Sequence, residues 1–502
     1  MQQGDPRAPR PVAGRRLDAW HEPEHAFLAL HAAASAGDVA WLDDSAGEGW
    51  SYLAASAGTV DAWPHGLFSG LAELLPASAG ARPDTPQDAP GLPEGLAFRL
   101  GVVGWIPYDA WPETVPLHHA PAADPADPAA SVPPAFLRVE RLLAFDHAAR
   151  EVWAVARAGD PWPGTVEDAL AAARPAEPSA EDTAGDEAGD AAAWRHDDDA
   201  YLALIRSCQE SIRRGDAYQL CLTNAAHVPG AVDPVRVHLA LRALSPTHHG
   251  GFLRVGGTVL VSASPERFVE VDGHGTLRTL PIKGTRPRRA DPVADELARA
   301  ELLASDKERA ENVMIVDLMR NDLSRVCVLG SVRVTSLFQV EAYAQVHQLV
   351  SRVEGELAPG VSAVDAVRAL FPAGSMTGAP KSAAVGILQA LERGPRGVYA
   401  GAFGWFGDDG RADLAMVIRS VVVADGRATV GAGGGITALS VPEEELEEVR
   451  VKAAPLLAAV RAGRLAPPSD EGASVPPAPP QADARGLITT PRAGSGATRR
   501  VH

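Results

Sequence analysis

The sequence predicts a protein of the mixed α/β (α+β) class, on three observations. Segments with helical periodicity, such as residues 200–215, alternate with short apolar runs typical of strands, such as residues 101–108. The chain has 502 residues, 46% of them apolar, which suffices for a large core and for two domains. No run approaches about 18 uninterrupted apolar residues, so we expect no membrane span.

Composition and charge indicate which kinds of molecule the protein binds and in which cell compartment it resides. A formal net charge of −18 argues against nucleic acid or an anionic membrane as partner, and an anionic substrate would need local cations, a metal ion or backbone N–H groups. The first ten residues are polar rather than an apolar signal segment. The cysteines, Cys208, Cys221 and Cys327, are widely spaced, as expected of reduced thiols. We therefore expect a cytoplasmic protein.

The N-terminal portion divides into a tail and a region of strands. Residues 1–20 are rich in Pro and Arg and are predicted to be unstructured. The region 21–173 begins with a helical stretch from residue 26. Its predicted strands are 39–43 and 50–55, which form a hairpin, then 101–108, 136–145 and 152–157, with Pro-rich loops at 79–94 and 119–134.

An acidic, Ala-rich segment, residues 174–198, separates this region from the rest of the chain and is predicted to be a flexible linker. Residues 199–463 carry most of the motifs, and residues 464–502 are predicted to be a disordered Pro/Ala-rich tail. Predicted helices of the motif-rich region are 200–215, 292–304, 306–320, 362–370, 379–393 and 442–462. Its predicted strands are 218–223, 251–255, 258–263, 268–271, 277–281, 331–338, 345–353, 398–406, 412–424 and 427–431.

The stretch L-P-I-K-G-T-R-P-R, residues 280–288, places Lys283 at the end of an apolar strand and before a glycine turn. Partial desolvation there would favour a neutral amine, which is a nucleophile. Most lysines are solvated surface charges, so a surface position is the competing interpretation.

Two predicted helices each carry a pair of glutamates spaced three apart. Glu308 and Glu311 share one helix face, and Glu445 and Glu448 share another. Carboxylate oxygens suit Mg²⁺, although a solvated helix face explains the spacing equally well. Glu308 also completes a capping box with Ser305, whereas Glu311 and Glu448 lie too deep in their helices for capping.

Three further features are compatible with an anionic ligand. Arg419 lies in an almost continuous apolar run, so it requires an anionic partner, either a structural Asp or Glu or the carboxylate of a ligand. Tyr399 could hydrogen-bond the same ligand, and the run V-G-A-G-G-G-I at 430–436 could direct backbone N–H groups toward an anion. Glu266, beside Pro265, is a possible general acid if it is buried, and a salt bridge is the alternative.

Taken in order, these motifs resemble the chorismate-utilising enzyme family. The resemblance rests on S-P-E-R-F at 264–268, P-I-K-G-T-R-P-R, D-K-E-R-A-E-N-V-M-I-V-D-L-M-R-N-D-L, G-S-M-T-G-A-P-K, G-V-Y-A-G-A-F-G, V-I-R-S and G-A-G-G-G-I with the following E-E-V-R-V-K. It is dense over residues 200–460 and weak before them. It implies a two-layered β-sandwich flanked by helices, similar to anthranilate synthase component I, with chorismate and Mg²⁺ between the layers.

The resemblance also implies a role for each motif residue. Glu311 and Glu448 would be Mg²⁺ ligands, assisted by Glu308 and Glu445. A substrate carboxylate would be held by Arg419, Tyr399 and the N–H groups of Ala432, Gly433, Gly434 and Gly435, with Lys452 nearby. Ser375 would line the ring pocket, and Glu266 would protonate the departing C4 hydroxyl. Lys283 would attack C2, and ammonia would then enter at C4 and expel the lysine.

One position departs from the family pattern. In Q-V-H-Q-L-V-S-R the family often has a histidine where this sequence has Gln348. His347 is one residue earlier and, on a strand, faces the opposite way. Either Gln348 hydrogen-bonds the substrate without proton transfer, or proton transfer is left to Glu266.

Within the family, Lys283 and the motif G-S-M-T-G-A-P-K resemble the large subunit of the aminodeoxychorismate synthases, whereas anthranilate synthases usually carry Ala at position 283. The implied activity is amination of chorismate for 4-aminobenzoate and folate supply or a related specialised pathway. The sequence shows no glutaminase motif of its own, so the ammonia would come from a separate glutaminase subunit. Anthranilate synthase component I is the nearest alternative. Isochorismate or salicylate synthases and a catalytically silent subunit fit Lys283 and the carboxylates less well.

Overall fold

Antiparallel strands dominate the structure, a computed structural model that describes residues 11–31, 37–75, 91–117, 132–172, 192–343 and 346–465. The strands are β1 (Val12–Arg16), β2 (Val39–Asp43), β3 (Trp50–Val60), β4 (Gly101–Ile106), β5 (Ala135–Asp146), β6 (Glu151–Arg157), β7 (Ala193–Trp194), β8 (Gln219–Pro229), β9 (His249–Val255), β10 (Thr258–Ser264), β11 (Arg267–Val271), β12 (Thr276–Thr279), β13 (Ile282–Pro287), β14 (Arg333–Ala342), β15 (Val346–Glu356), β16 (Gly378–Ala379), β17 (Ala402–Gly407), β18 (Ala412–Met416), β19 (Ser420–Ala424) and β20 (Arg427–Ile436). The helices are α1 (Pro23–His31), α2 (Leu67–Leu74), α3 (Trp162–Ala172), α4 (Asp198–Arg213), α5 (Pro234–Leu244), α6 (Pro292–Ala304), α7 (Asp306–Ser324), α8 (Ala363–Leu370), α9 (Lys381–Glu392) and α10 (Pro442–Ala462).

The strands fold back on one another as a two-layered sandwich. One run of pairings leads from β11 through β18, β17, β4, β5 and β3 to β2. It continues through β9, β10, β19 and β20 to β8. The interior is apolar: Trp105 of β4 and Phe403 of β17 belong to the same buried cluster as Leu253 of β9 and Leu260 of β10. The predicted fold class is therefore confirmed.

Helices cover both outer faces of the sandwich. Helices α4, α5 and α10 bury residues such as Ile205, Leu241 and Leu456 against β8, β10 and β20. On the other face, α2, α7 and α8 bury residues such as Leu71 and Ile315 against β4, β11 and β15. No helix in the described residues is long and apolar enough to cross a membrane.

Several boundaries differ from those predicted. The prediction that residues 1–20 are unstructured is wrong at Val12–Arg16, which pair with β6 while Arg16 forms an ion pair with Glu151 at 2.6 Å. Of the predicted linker 174–198, residues 174–191 lie outside the described residues. Ala193–Trp194 pair with β8. The tail beyond 465 also lies outside them. Strands of the predicted regions 21–173 and 199–463 share one sandwich, since β2 pairs with β9 and β4 with β17.

The core contains a histidine whose burial predicts acid sensitivity. His238 of α5 packs between Trp41 and Phe252, and its Nε2 has no hydrogen-bond partner among the described residues. Burial, assisted by Arg242, lowers the pKa of His238 to about 3. Below about pH 6.5 the histidine takes up a proton in the unfolded chain but not in the folded chain. Lowering the pH below that value therefore decreases the free energy of unfolding.

We therefore expect the His238→Phe variant to lose part of this acid sensitivity. Its free energy of unfolding relative to the wild type should improve by about 2 kcal/mol between pH 6.5 and pH 5, as measured by urea denaturation. The exposed His65, changed to Ala, should show no such difference. An equal pH dependence in wild type and His238→Phe would contradict the prediction.

Candidate active site

A cavity of about 500 Å³ opens between strands β13 and β20 and helices α7 and α10. All of the predicted site residues line this one cavity: Glu266, Lys283, Glu308, Glu311, Gln348, Ser375, Tyr399, Arg419, Ala432, Gly433, Gly434, Gly435, Glu445, Glu448 and Lys452. They come from segments far apart in the chain. The fold therefore brings the predicted residues together, while their individual roles stay predictions.

Lys283 lines the cavity together with Glu266, and its charge acts on the Glu266 carboxyl. Lys283 is half-buried and is the second residue of β13, so the prediction that it ends an apolar strand is wrong. Gly284 does not form a turn; it lies in the strand with φ of 81°, at a shift in the pairing with β15. A side chain there would meet the carboxylate of Glu308 at 2.9 Å, which explains the need for glycine.

Glu266 is placed as a general acid would be. It follows β10 in the turn before β11, and the Ser375 hydroxyl donates a hydrogen bond to its Oε1 at 3.3 Å. Burial raises the pKa of Glu266, although Lys283 and the Ser375 hydrogen bond act in the opposite direction. A raised pKa keeps a carboxyl protonated closer to neutral pH, which favours proton donation.

The carboxylate pairs of α7 and α10 line the same cavity. A Cβ atom on Gly434 would lie 3.1 Å from Glu445 Oε2 and 3.9 Å from Glu448 Oε1. Burial raises the pKa of Glu311, and the Glu308 and Glu445 carboxylates add to this effect against Lys283. The four carboxylates act together on the nearby Lys307, although the Glu448 side chain remains 47% exposed.

The predicted capping box at the start of α7 forms only in part. The Glu308 N–H donates to Ser305 Oγ at 3.4 Å, but the return bond from the Glu308 carboxylate to the backbone of Ser305 is absent. That carboxylate instead lies 3.7 Å from Arg286 Nη1. Glu308 is therefore available to the cavity.

Three cations approach the carboxylates, and sequence reasoning missed two of them. Lys452 Nζ lies 2.5 Å from Glu448 Oε1 and donates to the Gly433 carbonyl at 2.8 Å. Burial alone would raise the pKa of Glu448, but Lys452 lowers it. Lys307 and Arg286, which approach Glu445 and Glu308, were missed. Both lie inside the quoted motifs, yet the sequence gives no sign that either cation reaches a carboxylate of another element.

The donor set suits Mg²⁺ chemically. Among the described residues, no group of three or more Asp, Glu, His and Cys side chains surrounds a common metal position. Mg²⁺ is usually held by one or two carboxylates and keeps several waters, so two facing carboxylates suffice. Glu311, which has no cation within 4.0 Å among the described residues, and Glu448 are the pair that would hold it.

Arg419 does not lie in the continuous strand that was predicted over 412–424. Strand β18 ends at Met416 and β19 begins at Ser420, and Arg419 between them has φ of 50°. A non-glycine residue in this conformation is strained, and such residues cluster at ligand sites. Burial lowers the pKa of Arg419, and no described side chain forms a hydrogen bond or ion pair with its guanidinium. Of the two predicted alternatives, a ligand carboxylate is therefore favoured over a structural Asp or Glu.

Tyr399 and the glycine run lie beside Arg419. The tyrosine ring rests on Gly431, where a Cβ atom would lie 2.1 Å from the ring. The run predicted to direct N–H groups toward an anion is part of β20, paired with β8 as far as Ile436. Strand β19 pairs with β20 only as far as Val430. Beyond Val430 one edge of β20 is open, so alternate N–H groups of Ala432–Gly435 can face a ligand.

Two amides line or adjoin the cavity. Gln348 lines it, while His347 contacts Asp295 Oδ1 at 3.0 Å on the other side of β15, which confirms the predicted opposite orientation. Gln219 was missed. It is 1% exposed, its Oε1 has no partner among the described residues, and its Nε2 would lie 2.3 Å from a Cβ on Gly435. An isolated glutamine in a strand carries no sequence signal for this position.

Comparison with known families gives a match over most of the chain. The family described as chorismate binding enzyme matches residues 37–458. The chain is 41% identical over 410 residues to an aminodeoxychorismate synthase of Streptomyces pristinaespiralis, covering 79% of this chain and 54% of that protein. It spans about half the length of the first curated relatives it matches.

Other relatives are named for different activities. Anthranilate synthase component 1 of Streptomyces coelicolor is 39% identical over 394 residues, 75% of each chain. The crystal structure of anthranilate synthase component I from Streptococcus pneumoniae has a TM-score of 0.66 and 27% identity, covering 81% of this chain and 92% of that one. The menaquinone-specific isochorismate synthase of Escherichia coli, at 17% identity and a TM-score of 0.66, shares the fold over 90% of this chain and 95% of that one.

Proposed function

Because the chain belongs to the family of chorismate-binding enzymes, we propose that it is the synthase component of an aminodeoxychorismate synthase. It would convert chorismate and ammonia to 4-amino-4-deoxychorismate, for 4-aminobenzoate and folate or a related specialised pathway. The observation that carries the proposal is Lys283, whose side chain lines the same cavity as Glu266 and the four carboxylates. A nucleophile and a proton donor in one cavity are what amination through a covalent intermediate requires.

Substrate binding would use the cations and the open strand edge. The guanidinium of Arg419, lacking a partner among the described side chains, would pair with a chorismate carboxylate, and the Tyr399 hydroxyl and N–H groups of β20 would complete its hydrogen bonds. Mg²⁺ held by Glu311 and Glu448 would neutralise the second carboxylate. These local charges would overcome the net charge of −18.

Two substitutions at the ring would follow. The Lys283 amine forms a bond to C2, the ring double bonds shift, and the C4 hydroxyl leaves as water with a proton from Glu266. Ammonia then bonds to C4, the double bonds shift back, the C2–N bond to Lys283 breaks, and the surplus proton returns to Glu266. The neutral amide of Gln219, buried without a partner, could accept a hydrogen bond from entering ammonia.

A separate glutaminase would supply the ammonia. An apolar groove of about 670 Å³ runs along the outer side of α7, where the exposed side chains include Tyr218, Val313 and Leu337. Tyr218 precedes Gln219, which lies beside the cavity residue Gly435. Exposed apolar grooves of this kind are typical of protein interfaces. The groove supports a glutaminase as its occupant.

Anthranilate synthase component I is the second candidate, because the Streptomyces coelicolor relative matches over three quarters of both chains. Incubating the protein with chorismate, Mg²⁺ and ammonium, followed by mass spectrometry and absorbance, separates the candidates. We expect 4-amino-4-deoxychorismate. Anthranilate as sole product, isochorismate or salicylate, or no turnover would each contradict the proposal.

A further inference from the structure

The side chain of Lys307 extends from α7 toward α10, the other helix that carries a glutamate pair. It is the second residue of α7, and its Nζ lies 3.9 Å from Glu445 Oε1 on α10. Its charge interacts with all four cavity carboxylates: Glu445, Glu311, Glu448 and Glu308. The distance of 3.9 Å between Lys307 Nζ and Glu445 Oε1 is that of an ion pair.

The three cations at the carboxylates are held to different degrees. Lys452 is fixed by both Glu448 and the Gly433 carbonyl. Arg286 is fixed by Glu301 and by the carbonyl of Thr285, in addition to Glu308.

Lys307 is the least constrained of the three. Among the described residues it has a single ion pair, to Glu445, and its side chain is 57% exposed, whereas that of Glu445 is 5% exposed. It can therefore withdraw into solvent without breaking another contact.

A divalent cation bound to the same carboxylates would lie close to the positively charged end of Lys307. Like charges a few ångströms apart repel, and Mg²⁺ and the ammonium both interact most favourably with carboxylate oxygens. We propose that Lys307 is an internal counter-ion that competes with Mg²⁺ for the carboxylates of α7 and α10 and swings into solvent when the metal binds. The inference rests on the Mg²⁺ site of the proposed function.

The test is the affinity of the full chain for Mg²⁺ without chorismate, measured by isothermal titration calorimetry. Lys307→Gln should lower the dissociation constant by about fivefold, and 1 M salt should reduce this difference. Lys307→Arg, which retains the charge, should restore the wild-type affinity. The matched control is Arg309→Gln, which removes the same charge from the same helix at a side chain that stacks on Phe338, and it should leave the affinity unchanged.

Unchanged or weaker Mg²⁺ binding by Lys307→Gln, or an equal gain by Arg309→Gln, would overturn the inference. So would the absence of Mg²⁺ binding by both wild type and Lys307→Gln. Failure of the proposed amination is distinguishable from these results, because it would appear as a different product in the turnover assay while the metal titration stayed as expected.

Discussion

Replacement of Lys283 by Ala should reduce the rate of 4-amino-4-deoxychorismate formation by about a thousandfold, the order of loss that follows removal of one chemical participant. With the amine gone, no bond to C2 can form before ammonia arrives. Ammonia at C2 is then the remaining route, so residual turnover should shift toward a 2-aminated product. Product analysis by mass spectrometry and chromatography at saturating ammonium measures both effects.

A second readout reports directly on the covalent step. Without ammonium, the wild-type protein incubated with chorismate and Mg²⁺ should gain the mass of chorismate less water, with the added mass on the peptide containing Lys283. Lys283→Ala should gain none. The control is Lys307→Arg, which leaves the nearby cation in place and should form the adduct normally. Full activity of Lys283→Ala would show that another group, or none, attacks C2.

The candidate catalytic and binding residues of this site could be predicted because each belongs to a local motif, and the order of the motifs along the chain indicates the family. Their geometry could not be predicted. The run around Arg419 has the composition of a strand, yet the chain turns at φ of 50° because Met416 ends one pairing and Ser420 begins another. Local composition carries no information about where a pairing partner ends.

The same limit applies to contacts between distant segments. Arg286 lines the cavity and Gln219 lies beside the lining residue Gly435 because of strand pairing and the pairing shift at Gly284, which depend on the three-dimensional register. Strand β1 was missed because Arg15 and Arg16 resemble a disordered tail, although at a sheet edge their charges pair with Glu167 and Glu151. Periodicity predicted many of the helices and strands but missed α2, α3 and α5, and the family resemblance supplied the layers.

The largest effect on stability is expected at Arg396, which lies behind the cavity wall. Its guanidinium is 2.7 Å from Glu392 Oε1 and donates to the carbonyls of Met376 at 2.6 Å and Cys221 at 2.8 Å, with the ring of Tyr108 at 4.2 Å. Arg396→Met should lower the free energy of unfolding by about 3–5 kcal/mol, because it leaves a buried carboxylate without its counter-ion. Urea denaturation at neutral pH measures this loss.

The double variant Glu392→Leu/Arg396→Met tests the cause. Removing both charges relieves the unpaired carboxylate, so part of the stability should return. The recovery should stay incomplete by about 1–3 kcal/mol, because Glu392 Oε1 also accepts the Thr223 N–H at 2.9 Å and the two carbonyls remain unpaired. As a control, Arg213→Met at the exposed pair with Glu210 should cost less than about 1 kcal/mol. A single variant as stable as the wild type would mean that water or movement of the wall replaces the guanidinium, and that Arg396 does not hold β8 and the turn bearing Ser375 in place.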